Sequence, residues 1–186
     1  MDNAIDTRKV LSTEEFESFE RVVKKLENPA KITLLFIAET GCRIGEALLL
    51  RPEDVQFLKE GRPFVRIQTL KRDGHPVRSV HLDRQSEFYQ ELRSWTATQK
   101  KGEALFPIPK RTLQSIMKKI LKRVKPDREG LVHILRHTRA SRLSQFGAKW
   151  EYIQQQLGWS SLDMARIYAH TQDEEIEKVF QSMRKG

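Results

Sequence analysis

His133 and Arg136 stand three residues apart in the segment Leu131-Val132-His133-Ile134-Leu135-Arg136-His137. If that segment is helical, the two side chains project from one face, because residues three apart are neighbours on a helix. A guanidinium offers a planar fork of donors that matches two phosphate oxygens, and an imidazole exchanges a proton near neutral pH. Trp159 and Tyr168 follow in that order, and Arg43 lies far upstream. Two arginines, a proton acceptor and a phenol suit phosphoryl transfer. Arg43, Lys71, His133 and Arg136 are too dispersed for any spacing rule to unite them, so only tertiary folding can bring them to one site.

The elements that must do this positioning are mostly helices. Ser12-Thr13-Glu14-Glu15 reads as a capping box ahead of Phe16, Phe19, Val23 and Leu26 at helical spacing, until Asn28-Pro29 interrupts. A second helix, rich in Ile32, Leu35, Phe36 and Ile37, is expected to end near Gly41. A third should run from about Arg43 towards Leu50 before Pro52, which puts Arg43 at a helix junction. Phe64 to Leu70 and Val77 to Leu82 read as strands joined by a turn containing Asp73-Gly74, the one clear sheet signal. Asp83 is expected to cap a helix containing Phe88, Leu92 and Trp95, and Leu105-Phe106-Pro107-Ile108-Pro109 to be irregular, since proline has no N–H to donate. Leu113, Ile116, Met117, Ile120, Leu121 and Val124 then form an apolar stripe on a helix whose other face is basic. After Pro126 the pattern predicts a helix to about Phe146, stopped by Gly147, another to Leu157-Gly158, and two more around Tyr168 and from Ile176 to Met183. The predicted architecture is mainly α with a small antiparallel β-hairpin or sheet.

With 186 residues and 38% apolar content the chain suits one compact domain with a genuine core. Lysine and arginine outnumber aspartate and glutamate by 34 to 25, a net +9 that favours an anionic partner, nucleic acid first. No apolar run approaches the roughly 20 residues of a membrane span. The start, Met1-Asp2-Asn3-Ala4-Ile5-Asp6, lacks the basic-then-apolar pattern of a signal peptide, so the expected location is the cytoplasm, in association with DNA. Cys42, the one cysteine, cannot form an internal disulfide and reads as a small buried hydrophobe.

Four segments taken together are more specific: Thr40-Gly41-Cys42-Arg43-Ile44-Gly45-Glu46, His133-Ile134-Leu135-Arg136-His137, Leu157-Gly158-Trp159-Ser160-Ser161 and Ile167-Tyr168-Ala169-His170. They resemble the tyrosine recombinases, also called phage integrases, from about Leu11 to Phe180. The resemblance implies the DNA breaking-rejoining fold of that family's catalytic domain over residues 11–186, tail helix included. Residues 1–10 would be an extension or linker, and the family's separate core-binding domain has no counterpart in this chain.

The same resemblance implies that Tyr168 attacks a DNA phosphodiester to leave a 3′-phosphotyrosine and a free 5′-hydroxyl, with no cofactor, metal or ATP. A covalent intermediate of this kind splits one hard transfer into two and keeps a phosphoester for religation. A phenol with a pKa near 10 must lose its proton as the O–P bond forms, and His133 is the candidate base. Arg43 and Arg136 would clamp the non-bridging oxygens. Lys71, just before the Asp73-Gly74 turn, matches the family's hairpin lysine and would protonate the leaving oxygen, although Arg72 or Arg78 could be mistaken for it. Trp159 stands where many members place a second histidine; its indole N–H can donate but not accept, so it would orient phosphate or pack beneath Tyr168. Glu46 matches an acidic residue of the Arg43 motif and is expected to support the clamp without touching phosphate, which a carboxylate would repel.

Other readings stand beside these. His133 and His137 have the spacing of a helical zinc pair, yet Arg136 lies between them and the glutamate of a zinc-protease motif is missing, so no metal site is expected. His137 is assigned to the scaffold of the site, and His75, His81 and His170 receive no chemistry. Arg111, Lys118, Lys119, Lys122, Arg123 and Lys125 make the most basic stretch, which is either a solvated face or a contact for DNA phosphates. Trp95, Trp150 and Tyr152 fit a core role. The expected partner is double-stranded DNA at specific sites, within a synapse of four protomers that the resemblance implies. In the family the tail, here Asp173 to Met183, commonly docks on a neighbour; here it could equally fold back in cis. A relaxing topoisomerase, or a DNA-binding regulator that is inactive or truncated, is the alternative function.

Overall fold

The computed structural model describes residues 7–70, 74–128 and 131–159. Helix α1 (Thr13–Val23) begins with the anticipated box: Glu15 N–H donates to Ser12 Oγ, and Ser12 N–H to Glu15 Oε2 at 2.7 Å. It turns Phe16, Phe19 and Val23 inward. Helix α2 (Ala30–Thr40) is buried almost all round, as its near-continuous apolar sequence requires, and it is the centre of the molecule. Its two inward threonines lose no hydrogen bond on burial, because Thr33 and Thr40 donate to the carbonyls of Pro29 and Phe36 one turn back. Phe36 is fully buried against Phe106 and Phe88, a contribution of about 1.5–3 kcal/mol from its burial alone.

Gly41 ends α2 in the left-handed conformation at φ +65°, and Arg43 opens the short α3 (Ile44–Ala47). This helix stops well before Leu50, so the expectation of a longer one is corrected. Strands β1 (Val55–Gln56), β2 (Phe64–Gln68) and β3 (Val77–His81) make an antiparallel sheet in that order, with Val65 opposite Val55 on one side and Val80 on the other. β1 was not anticipated; two residues are too few to carry an alternating pattern. In β3 the register buries Arg78 and Val80 and leaves Val77 64% exposed.

Helix α4 (Glu87–Ala97) is capped by Ser86, whose Oγ accepts from Tyr89 N–H, and not by Asp83 as expected. Asp83 instead shapes the preceding turn by accepting from Gln85 N–H. Trp95 is partly buried and donates through Nε1 to the Leu105 carbonyl. Helix α5 (Lys110–Val124) presents the expected stripe of Leu113, Met117, Ile120 and Leu121 to α1 and the core. Helices α6 (His133–Gln145) and α7 (Trp150–Leu157) complete the described chain, α6 lying on α2 and α7 between α6 and β3. Ala140, Ile153, Leu157 and Trp159 form a small apolar cluster beside the main core. Tyr152, expected in the core, is at the surface and accepts from Gln156 Nε2. Among the described residues no helix is long and apolar enough to cross a membrane.

Candidate active site

Two helix ends converge on one side chain of a third helix. Arg136, one turn into α6, is 4% exposed and donates from Nη1 to the Gly41 carbonyl at 2.8 Å and from Nη2 to the Leu157 carbonyl. These carbonyls close α2 and α7, so the guanidinium lies where two helix dipoles are negative. Its plane is further fixed by Trp159, whose ring centre is 5.6 Å from Cζ and which stacks on Trp150 at 5.8 Å. Burial, followed by the positive field of Arg43, pulls the Arg136 pKa down to about 9, which leaves it charged at neutral pH.

The glycine of the Arg43 segment has a packing reason. A Cβ on Gly41 would lie 2.3 Å from Leu157 Cδ2, in addition to requiring a left-handed backbone. Only glycine therefore lets α2 end against α7 with its carbonyl towards Arg136.

Arg43 occupies the cap position of α3 and keeps 18% of its side-chain surface exposed. Its Nη1 meets Glu46 Oε1 at 2.9 Å, and its N–H donates to Glu46 Oε2 at 2.9 Å. Glu46 is wholly buried and also receives Arg78 Nη2 at 2.7 Å. Burial raises its pKa, but the hydrogen bonds and charges of Arg78 and Arg43 outweigh that effect and hold the carboxyl below its ordinary range. Glu46 thus bridges two guanidinium groups.

His133 is the first residue of α6 and is exposed at its edge. His137, one turn on, is half-buried, and its pKa is lowered by burial first and then by Arg136 and His133. Arg43, Glu46, Arg136, Trp159 and His137 therefore belong to one neighbourhood with His133 at its rim. Lys71 and Tyr168 lie outside the described residues, as do His170 and the tail from Asp173 to Met183. Among the described residues no three His, Cys, Asp or Glu side chains gather as a metal would need.

Of the basic residues on α5, Arg111, Lys118, Lys119, Lys122 and Arg123 are exposed. Lys125 is not: it is 5% exposed and its Nζ contacts both Glu15 oxygens at 2.9 and 3.0 Å, which corrects its inclusion in a free basic face. Arg78, named in the sequence only as a residue that could be mistaken for Lys71, is buried against Glu46, and the signal for that place was the parity it shares with Val80 on β3.

The Phage integrase family model matches residues 9–175, and the chain belongs to that family. It is 29% identical over 162 residues to tyrosine recombinase XerD of Corynebacterium glutamicum, across 83% of this chain and 52% of that protein. It is 28% identical to tyrosine recombinase XerC of Staphylococcus aureus, across 81% and 51%. The chain thus spans about half the length of these relatives. Its fold is similar to the XerH site-specific recombinase bound to palindromic difH substrate, with TM-score 0.74 and 26% identity over 91% of this chain and 52% of that one. The catalytic domain of bacteriophage HP1 integrase shares the fold at TM-score 0.67 and 21% identity, over 87% and 86%.

Proposed function

We propose that this chain carries the strand-transfer site of a site-specific DNA recombinase that cleaves and rejoins DNA through a 3′-phosphotyrosyl intermediate. The observation that carries the reading is the convergence of Arg43 and Arg136, distant in sequence, into one positive neighbourhood where Arg136 is fixed by two carbonyls. Such a preorganised pair suits the extra negative charge of a pentavalent phosphorane, because its donors need not reorganise as that charge develops. The relatives support the substrate class, since XerH was captured with its difH DNA.

In this reading the Tyr168 oxygen forms a bond to the scissile phosphorus as the bond to the 5′-oxygen breaks. The phenolic proton goes to His133, and Lys71 gives a proton to the departing 5′-oxygen. The phosphoester count is unchanged, so attack by another strand's 5′-hydroxyl reverses the step and releases Tyr168. Glu46 and Trp159 hold the arginines. The exposed Arg111, Lys118, Lys119, Lys122 and Arg123 bind backbone phosphates. Assembly of four protomers on two DNA sites, with the tail at the interface, belongs to the same reading.

The test is covalent trapping on a nicked suicide duplex from the attachment region beside the chain's own gene, without divalent metal. A denaturation-resistant adduct with wild type and none with Tyr168→Phe is expected. If wild type binds the duplex but forms no adduct on any substrate, the chain is a regulator of the same fold or a part that needs a further domain to cleave, and the reading of this chain as catalytic by itself is lost.

A further inference from the structure

Arg78 is 8% exposed and holds three separate stretches at once. Its Nε donates to the Gln156 carbonyl at 3.0 Å, Nη1 to Thr69 Oγ1 at 2.8 Å and Nη2 to Glu46 Oε2 at 2.7 Å. Gly158, next to Trp159, packs directly on it, since a Cβ there would lie 3.0 Å from Arg78 Cδ. One rigid fork therefore joins the sheet, the α3 carboxylate that orients Arg43, and the last turn of α7.

The charges add a second consequence. Glu46 gives Oε1 to Arg43 and shares Oε2 between Arg78 and the Arg43 N–H. With Arg43 as its only partner, this buried carboxylate would cancel the Arg43 charge. Arg78 takes part of the pairing, so Arg43 can be oriented by Glu46 and still present positive charge outward.

The geometry points to Arg78 as a positioning residue of the strand-transfer site, setting the direction and available charge of Arg43 through Glu46 and the end of α7 through the Gln156 carbonyl. This rests on the recombinase reading given above. Arg78 itself is buried, with its donors committed to Gln156, Thr69 and Glu46.

The experiment is single-turnover cleavage of the suicide duplex at saturating DNA by wild type, Arg78→Gln, Arg78→Lys, Arg43→Lys and the Arg43→Lys/Arg78→Gln double variant, with DNA affinity measured in parallel. Arg78→Gln should slow cleavage on the order of 100-fold, the scale of a misplaced clamp, with affinity within about threefold of wild type. Arg78→Lys restores charge but not the three directed bonds, so it should fold and cleave about tenfold slower than wild type. Because Arg78 acts through Arg43, the double variant should be no more than about threefold slower than its slower parent, whereas a general weakening of the fold would multiply the two losses. Wild-type cleavage by Arg78→Lys, or multiplied losses in the double variant, overturns the inference while leaving the recombinase reading intact. A wild type that binds DNA without forming an adduct overturns both.

Discussion

A buried arginine held by two backbone carbonyls cannot be exchanged for lysine without loss, since an ammonium does not reproduce the planar fork. Arg136→Lys is therefore expected to lower the single-turnover cleavage rate about 10²–10³-fold, as removal of one oxyanion donor does, with DNA affinity changed by only a few-fold. A loss of affinity with the rate at saturating DNA unchanged would instead mean that Arg136 binds ground state and transition state alike. His137 supplies a pH prediction. Its folded-state pKa is depressed below 6.5, so the unfolded chain takes up a proton that the folded chain resists. Stability should fall as pH drops below about 6.5, and His137→Gln should flatten that part of the curve, seen as melting midpoints at about pH 7.5 and about pH 5. A variant whose midpoint falls as steeply as wild type would assign the titration elsewhere. At this scale the sequence named Arg43, Glu46, His133 and Arg136 by type and motif. It could not reveal that Glu46 serves two arginines, because Arg78 lies on a different element and meets it only in the fold.

Among the elements, α5 shows what a pattern conveys and what it hides. Its alternation of apolar and basic residues fixed the helix, and the exposed Lys118, Lys119, Lys122 and Arg123 match that pattern. Lys125 belongs to the buried stripe, one turn after Leu121 and two after Met117, and the register alone could have placed it inside. The two kinds of lysine should separate experimentally. Lys125→Met removes the partner of Glu15, which keeps 25% of its side-chain surface exposed, so a stability loss of about 1–3 kcal/mol is expected with DNA affinity little changed. Alanine at each exposed position should leave stability unchanged and reduce the slope of log affinity against log salt by about 0.9 wherever a phosphate contact is lost. An unaltered slope in Lys118→Ala, Lys119→Ala, Lys122→Ala and Arg123→Ala alike would make this a solvated face. The end of α2 was equally readable from Gly41. Its further role, admitting α7 and turning a carbonyl to Arg136, needed coordinates. Gly41→Ala should cost at least about 1–2 kcal/mol from the left-handed backbone alone and lower the melting temperature accordingly.

For the molecule as a whole, the distribution of apolar packing determines which part opens first. Helices α1, α2, α4 and α5 share one large core that includes Phe19, Phe36, Leu92 and Met117. Helix α7 instead contributes Ile153 and Leu157 to the small cluster with Ala140 and Trp159. Its attachment is completed by polar contacts at its last turn, from Arg136 to the Leu157 carbonyl and from Arg78 to that of Gln156. Less apolar area holds α7 than holds α2, so α7 should open without the rest of the domain. Native-state hydrogen exchange is expected to show the amides of Ile153 to Leu157 exchanging through a sub-global opening, at a free energy clearly below that of Leu34 to Ala38. Arg78→Lys should lower the first value and leave the second near wild type. This division bears on the proposed mechanism because Tyr168 follows α7 in the chain: in that reading, an α7 that moves independently would shift the proposed nucleophile without unfolding α2, whose end holds Arg136. Exchange of both segments at one common free energy, equally lowered by Arg78→Lys, would make the domain a single cooperative unit and remove α7 as a separately movable carrier.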